Sequence, residues 1–118
     1  MSATPFKPKA YLKEGCPFSF KFLLFASESG IRGHMEVIRC DPEAPGYPAI
    51  RSRLEAGLHK PATFPTVEVE PGRYMSDSDE LIRYFAAKEG VEPATLPALS
   101  FYVQTILPQL LELHQQQG

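Results

Sequence analysis

The residues best suited to chemistry lie in Glu14-Gly15-Cys16-Pro17-Phe18-Ser19. A turn at Gly15 ends an apolar run. Pro17 fits the first position of a helix, where a missing N–H loses no partner. From Phe18 to Ser29 the apolar residues Phe18, Phe22, Phe25 and Phe20, Leu23, Leu24 recur at helical spacing and make a wide apolar face. Cys16 is thereby set at a helix N-terminus, where unpaired N–H groups and the helix dipole favour a thiolate. Lys13 and Lys21 are close enough in sequence to add positive potential. Ser19 occupies the position that holds the resolving thiol of a Cys-x-x-Cys pair. A hydroxyl there can donate to a thiolate but cannot close a disulfide. What remains is monothiol chemistry: one nucleophilic sulfur forms a mixed disulfide, and an outside thiol resolves it. Against this stands the plainer role of a cysteine that only begins a helix, and spacing alone does not separate the two.

The other reactive types carry less. Cys40 ends a strand pattern and reads as a small buried core residue, with a resolving or regulatory thiol as the alternative. His34, His59 and His114 lack metal-ligand spacing, and two cysteines cannot make a four-thiolate site, so no metal is expected.

Positioning Cys16 falls to the elements around it. Lys9 to Lys13, with Ala10, Tyr11 and Leu12, reads as a short strand. Gly30 stops the first helix, and His34 to Cys40 alternates as a second strand. Strand, helix and strand with short joints form a βαβ unit, which makes the strands parallel and the crossover right-handed. Asp41 to Tyr47 is a loop. Pro48 opens a second helix with Ile50, Leu54 and Leu58 inward and Arg51, Arg53 and Glu55 outward. After a loop at His59 to Thr63, Phe64 to Glu70 is a third strand opened by the Phe64-Pro65 bond. An aromatic residue before proline tolerates the cis form, although trans is the rule. Pro71-Gly72 turns the chain into Arg73-Tyr74-Met75, an antiparallel hairpin partner. Ser76-Asp77-Ser78-Asp79-Glu80 is rich in capping residues, with capping-box spacing between Asp77 and Glu80, and the helix it opens runs to Gly90. Beyond a linker at Val91 to Pro97, residues 98–116 form a helical pattern with Leu99, Val103, Ile106, Leu110 and Leu113 on one face and a kink at Pro108. Each of those five side chains contributes roughly 1.5–3 kcal/mol when fully buried. They are therefore expected to pack on the domain itself, with a symmetric homodimer through this helix as the alternative.

The composition fits one domain of 118 residues with one core. A net charge of -2, with both signs mixed along the chain, shows no basic patch for nucleic acid. No apolar run is long enough to span a membrane and no signal peptide opens the chain, so no membrane association is expected. Two cysteines make no disulfide framework, which points to a reducing, cytoplasmic setting. The expected division is a loose arm at 1–8, one α/β domain at 9–90, and a linker with an amphipathic helix at 91–118.

The order β-α-β-α-β-β-α, with Cys16 after the first strand and Pro65 opening the third, resembles the thioredoxin fold. That implies a four-stranded mixed sheet of order 2-1-3-4 with three helices, here followed by the extra C-terminal helical segment. Cys16-Pro17-Phe18-Ser19 resembles the active-site motif of glutaredoxins. It is more similar to that of the cysteine-type glutathione transferases: the omega class, the plant dehydroascorbate reductases and the chloride intracellular channel proteins. Gly30-Ile31 stands where they have a Gly-Ile or Gly-Val pair, and Ser76-Asp77-Ser78-Asp79 with Leu81-Ile82 and Tyr84-Phe85 resembles their acidic-Ser motif. The resemblance covers about residues 9–89.

It implies glutathione as ligand, gathered by Lys13, Pro17, Phe18, Phe64, Pro65, Asp77 and Ser78, with Cys16 and Ser19 as the catalytic pair. In such proteins the residue before the cis-proline, here Phe64, pairs its backbone with the cysteinyl part. The acidic residue and serine, here Asp77 and Ser78, hold the γ-glutamyl end. A helix N-terminus suits that carboxylate and Asp77 suits the ammonium, while plain helix capping is compatible with both residues. Lys13, Arg53 and Lys60 are the candidates for the glycine carboxylate.

Three departures qualify the resemblance. Phe20-Lys21 replaces a polar-basic pair, the Asp41–Thr63 segment is long, and residues 91–118 are too few for the helical second domain of full transferases. Taken as complete, the chain is expected to perform glutathione-dependent monothiol exchange on glutathionylated or disulfide substrates rather than conjugation of bulky apolar compounds. A non-catalytic glutathione-binding or protein-interaction module, and the N-terminal part of a glutathione transferase, are the alternatives.

Overall fold

The computed structural model describes residues 6–117; residues 1–5 of the expected arm, and Gly118, lie outside the described residues. Strand β1 (Lys9–Lys13) leads into helix α1 (Pro17–Ser29), a 3-10 turn (Ile31–His34) and strand β2 (Glu36–Cys40). Helix α2 (Tyr47–Leu58), strands β3 (Thr66–Glu70) and β4 (Arg73–Ser76) and helix α3 (Ser78–Glu89) follow. The sheet order is β2-β1-β3-β4. β1 and β2 are parallel, and β3 runs antiparallel to both β1 and β4. These are the expected order and directions. The second strand starts two residues later than its pattern suggests, because the 3-10 turn takes up residues 31–34.

Alternation along β1 explains the three layers. Ala10 and Leu12 point to one face, where Phe22 and Phe25 of α1 meet Leu81 and Phe85 of α3. Tyr11 points to the other face and packs with Cys40 and Leu54 under α2. Phe22 is the hinge of the aromatic packing, with ring centroids 6.2 Å from Phe25 and 5.9 Å from Phe85. α2 approaches the sheet closely at Gly57, where an added Cβ would lie 2.2 Å from the Tyr74 ring.

The C-terminal segment departs from its sequence pattern. After a 3-10 turn at Pro93–Thr95, the helix comes in three parts: α4 (Pro97–Phe101), a π-helical turn (Tyr102–Ile106) and α5 (Leu107–Gln117). Leu107 N–H bonds to the carbonyl of Tyr102, five residues back. Pro108 explains the wide turn, since it has no N–H and its ring would strike the carbonyl one turn earlier in a straight α-helix. Side chains take up carbonyls around it. Thr105 Oγ1 donates to Phe101 O at 2.7 Å, and Gln109 Nε2 donates to Thr105 O at 3.0 Å. The extra residue in the turn shifts the buried stripe. Leu99, Tyr102 and Leu107 are buried, while Ile106, Leu110 and Leu113 are 40%, 37% and 55% exposed. The single five-residue buried face is thus corrected: Leu107 takes the place expected for Ile106, and α5 presents Leu110 and Leu113 to solvent.

α4 itself is tied down. It has no side-chain cap of its own, and Glu28 of α1 supplies one. The two Glu28 carboxylate oxygens accept from Ala98 N–H at 2.7 Å and Leu99 N–H at 2.9 Å.

Candidate functional site

Cys16 is the N-cap of α1. Cys16 N–H bonds back to Lys13 O at 3.2 Å across a turn in which Gly15 has φ 77°, a conformation glycine reaches without strain. Phe20 N–H then bonds to Cys16 O at 3.0 Å, the first bond of the helix. The half-buried thiol is left on the helix end. Its sulfur accepts from Ser19 N–H at 3.4 Å and lies 3.9 Å from Phe64 O. The expected donor from residue 19 is therefore its backbone, not its hydroxyl. Ser19 is buried, and its Oγ accepts from Lys13 N–H at 3.0 Å, joining the end of β1 to α1.

Phe64 brings the second wall. Its bond to Pro65 is cis, and Pro65 is fully buried. Beyond Phe64 a cleft of about 340 Å³ is lined by Phe18, Lys60, Thr63 and Phe64 on one side and Ser76 to Asp79 on the other. Tyr47 of α2 stacks on the Phe64 ring at 6.0 Å and holds it at the rim. α3 begins in this cleft. Asp77 caps it, its Oδ1 accepting from Asp79 N–H at 2.9 Å and Glu80 N–H at 3.2 Å. Asp77 does so with φ 79° and ψ 115°, a conformation that a residue with a side chain adopts at a cost. Ser78 is buried just inside the helix.

On the other side of Cys16 lies a larger cavity of about 680 Å³. The stripe Cys16, Phe20, Leu23 and Ser27 of α1 forms one wall, and Tyr102 and Leu110 of the C-terminal helix form another. Lys13, Glu14 and Arg39 stand at its mouth, where Arg39 holds Glu14 in a two-pronged ion pair of 2.8 and 2.9 Å that lowers the Glu14 carboxyl.

Of the expected catalytic and glutathione-binding residues, Phe18, Phe64, Asp77 and Ser78 share the smaller cleft. Lys13, Pro17 and Ser19 line the larger one, and Cys16, also in its wall, touches Phe64 between the two. Among the three basic candidates, Lys60 alone lines the smaller cleft. Arg53 lies close enough to Tyr74 to favour its ionised form, against burial, which acts first and raises that phenol. Lys21, expected to act on the thiolate, is buried and paired with Asp79 in the first turn of α3, so it joins the two helices whose N-termini form the site. Cys40 is buried in the α2 layer, where its Sγ donates to Ile38 O at 3.5 Å. Burial, and next the charge of Glu14, push its thiol up, as suits a core residue. Among the described residues no group of three His, Cys, Asp or Glu is placed to hold a metal ion, and no helix is long and apolar enough to cross a membrane.

Two contacts that hold the C-terminal helix on α1 have no signal in the sequence. Tyr102 reaches back from the C-terminal helix and donates to Pro17 O at 2.7 Å. Glu28 secures the same helix at the far end of α1. Both join residues more than 65 positions apart, beyond what periodicity or local motifs report.

Comparison with known proteins agrees with this fold. Residues 15–88, more than half of the chain, match the family model described as "Glutathione S-transferase, N-terminal domain". No curated protein matches the chain. Among solved structures, a possible glutathione S-transferase from Rhodopseudomonas palustris superposes with a TM-score of 0.50 at 20% identity, over 70% of this chain and 40% of that one. Glutathione transferase Omega 2C from Trametes versicolor gives a TM-score of 0.50 at 14% identity, over 90% of this chain and 45% of that one. At such identities the likeness concerns the fold, which is thioredoxin-like. The chain spans less than half the length of either structure.

Proposed function

The chain belongs to the glutathione S-transferase N-terminal domain family, and on that premise we propose that it is a glutathione-dependent monothiol thiol-disulfide oxidoreductase with Cys16 as nucleophile. One observation carries the reading. The Cys16 sulfur sits on the N-terminus of α1, 3.9 Å from the Phe64 carbonyl at the rim of a cleft that also holds Lys60, Asp77 and Ser78. A glutathionyl group laid along that cleft meets the Phe64 backbone with its cysteinyl part. Its γ-glutamyl carboxylate meets the N-terminus of α3, its ammonium meets Asp77, and its glycine carboxylate meets Lys60. Its sulfur is then delivered to Cys16.

The exchange balances on one protein thiol. The Cys16 thiolate attacks the glutathionyl sulfur of a mixed disulfide, forming a Cys16–glutathione disulfide and releasing the substrate thiolate, which takes a proton from water. A second glutathione thiolate then attacks the glutathionyl sulfur, releasing oxidised glutathione and restoring the Cys16 thiolate. Ser19 supports the step through its N–H on the sulfur. The larger cavity on the other side of Cys16 leaves an approach for the substrate half of the disulfide. The proposal includes a reducing, cytoplasmic setting, in which glutathione supplies the reductant. It also includes a homodimer through the C-terminal helical segment, favoured by the exposure of Ile106, Leu110 and Leu113 and tested by light scattering of the chain with Leu110 and Leu113 changed to Lys.

Treatment with oxidised glutathione followed by mass spectrometry is expected to place one glutathione on Cys16, removable by dithiothreitol. Cys16→Ser is expected to abolish reduction of a glutathionylated peptide by reduced glutathione, and Cys40→Ser to leave it. An adduct without turnover would reduce the chain to a glutathione-binding module. An equal loss in a folded Cys40→Ser protein would refute the monothiol scheme.

A further inference from the structure

We infer that Tyr102 is a positioning residue for the Cys16 thiolate, acting by polarising the first peptide group of α1. The inference rests on the reading of Cys16 as the reacting thiol. Tyr102 O–H donates to Pro17 O at 2.7 Å. That carbonyl shares its peptide group with Phe18 N–H, one of the first-turn donors that have no partner within the helix. A hydrogen bond on the oxygen draws electron density from the nitrogen and makes the N–H a stronger donor. The next N–H along, that of Ser19, already reaches the sulfur at 3.4 Å. Phe18 N–H belongs to the first turn of the helix that Cys16 caps, so a bond on Pro17 O adds to the positive end on which the sulfur sits, and Tyr102 strengthens that end from behind.

Several features hold the tyrosine in this role. Its ring is buried and meets Phe20 edge to face at 5.0 Å. Its helix is anchored by the two bonds to Glu28. A carbonyl can only accept, so the phenol must donate. Burial first, and then the charge on Cys16, raise that phenol and keep its proton in place. Tyr102 lies outside residues 15–88, so this contact comes from the segment beyond the family match.

Iodoacetamide alkylation of Cys16 in the full chain, read by peptide mass spectrometry from about pH 5 to about pH 10, tests this. Tyr102→Phe is expected to slow alkylation roughly two- to five-fold at about pH 6 and to leave the alkaline rate unchanged or slightly higher. A less stabilised thiolate is scarcer but more nucleophilic. Replacing Tyr102 by 3-fluorotyrosine, a stronger donor of nearly the same shape, is expected to speed alkylation at about pH 6. A contact that merely holds the helix alters access to the sulfur, which multiplies the rate by one factor at every pH. A Tyr102→Phe profile that coincides with the native one, or runs parallel to it throughout, overturns the inference. If that variant does not fold, an unmoved fluorotyrosine profile overturns it equally. A shifted profile in a chain that transfers no glutathione would sink the proposed function and leave this inference standing.

Discussion

Asp77 offers a perturbation in which stability and binding move in opposite directions. The residue caps α3 through two bonds to Oδ1 while holding φ 79° and ψ 115°. Such a backbone costs about 1–3 kcal/mol in a residue with a side chain and little in glycine. Asp77→Gly removes that strain, loses a few tenths of a kcal/mol of capping, and adds about 0.4–1 kcal/mol of unfolded-state entropy to lose. The terms leave a net gain of about 0.5–1 kcal/mol at their midpoints. Asp77→Ala keeps the strain and loses the cap, a loss of about 1 kcal/mol. For a chain of 118 residues, 1 kcal/mol corresponds to about 4 °C in Tm. Calorimetry is therefore expected to place Asp77→Gly about 2–4 °C above the native protein and Asp77→Ala about 4 °C below it. Titration with reduced glutathione is expected to show both variants weakened about 10- to 150-fold, the loss of a charge-assisted bond of about 1.5–3 kcal/mol. A Tm for Asp77→Gly as low as that of Asp77→Ala would refute the strain argument. Native affinity in both would confine Asp77 to capping its helix.

The other predictions concern packing and protons. Gly57→Ala forces a Cβ to within 2.2 Å of the Tyr74 ring, and the displaced ring is expected to cost about 1–3 kcal/mol in urea unfolding; an unchanged midpoint would mean that α2 shifts freely on the sheet. Ser19→Ala leaves Lys13 N–H without its acceptor and is expected to cost about 1–3 kcal/mol of stability while much of the thiol transfer survives; loss of transfer at unchanged stability would restore a direct catalytic role to the hydroxyl. Stability is also expected to fall on the alkaline side. Cys40, Tyr74 and Tyr102 all release protons later when folded, burial being the first cause in each. Above the unfolded values of about 8.5 for Cys and about 10 for Tyr, the unfolded chain therefore binds fewer protons than the folded one, and the unfolding free energy declines with rising pH. Urea midpoints that hold level or climb from about pH 8 to about pH 11 would contradict these directions.

What the sequence made legible is what is local. The βαβ start follows from Gly15, Pro17 and the Phe22–Phe25 spacing, because turn chemistry and helical period are decided within a dozen residues. The α3 cap follows from Asp77 for the same reason. Cys16 could be set on a helix end from Gly15, Pro17 and the apolar spacing that follows, and its neighbour Phe64 followed from the resemblance rather than from any pattern. The choice of Lys60 over Lys13 and Arg53 was not legible, since all three are exposed or half-exposed cations on loops, strand ends or helix faces. Only the closure of the sheet decides which of them shares a cleft with α3. The bonds that Ser19 makes were not legible for a related reason. Spacing puts its hydroxyl near the thiol, but the end of β1 needs an acceptor for Lys13 N–H and finds it in that hydroxyl's oxygen.

The C-terminal segment shows where periodicity fails in kind. Leu99, Val103, Ile106, Leu110 and Leu113 make one stripe only if every turn has the same number of residues. Pro108 breaks that condition, and the chain resolves the conflict by widening the turn before the proline rather than bending at it. Tyr102 opens the wide turn and stays on α1, while Leu110 and Leu113 beyond the turn are released. A proline that removes apolar side chains from the core thus leaves the bond from Tyr102 to Pro17 in place. If an α-helical turn were restored by Pro108→Ala, Tyr102 would keep its register, which Glu28 fixes through Ala98 and Leu99, and the residues after it would rotate to bring Ile106 inward in place of Leu107.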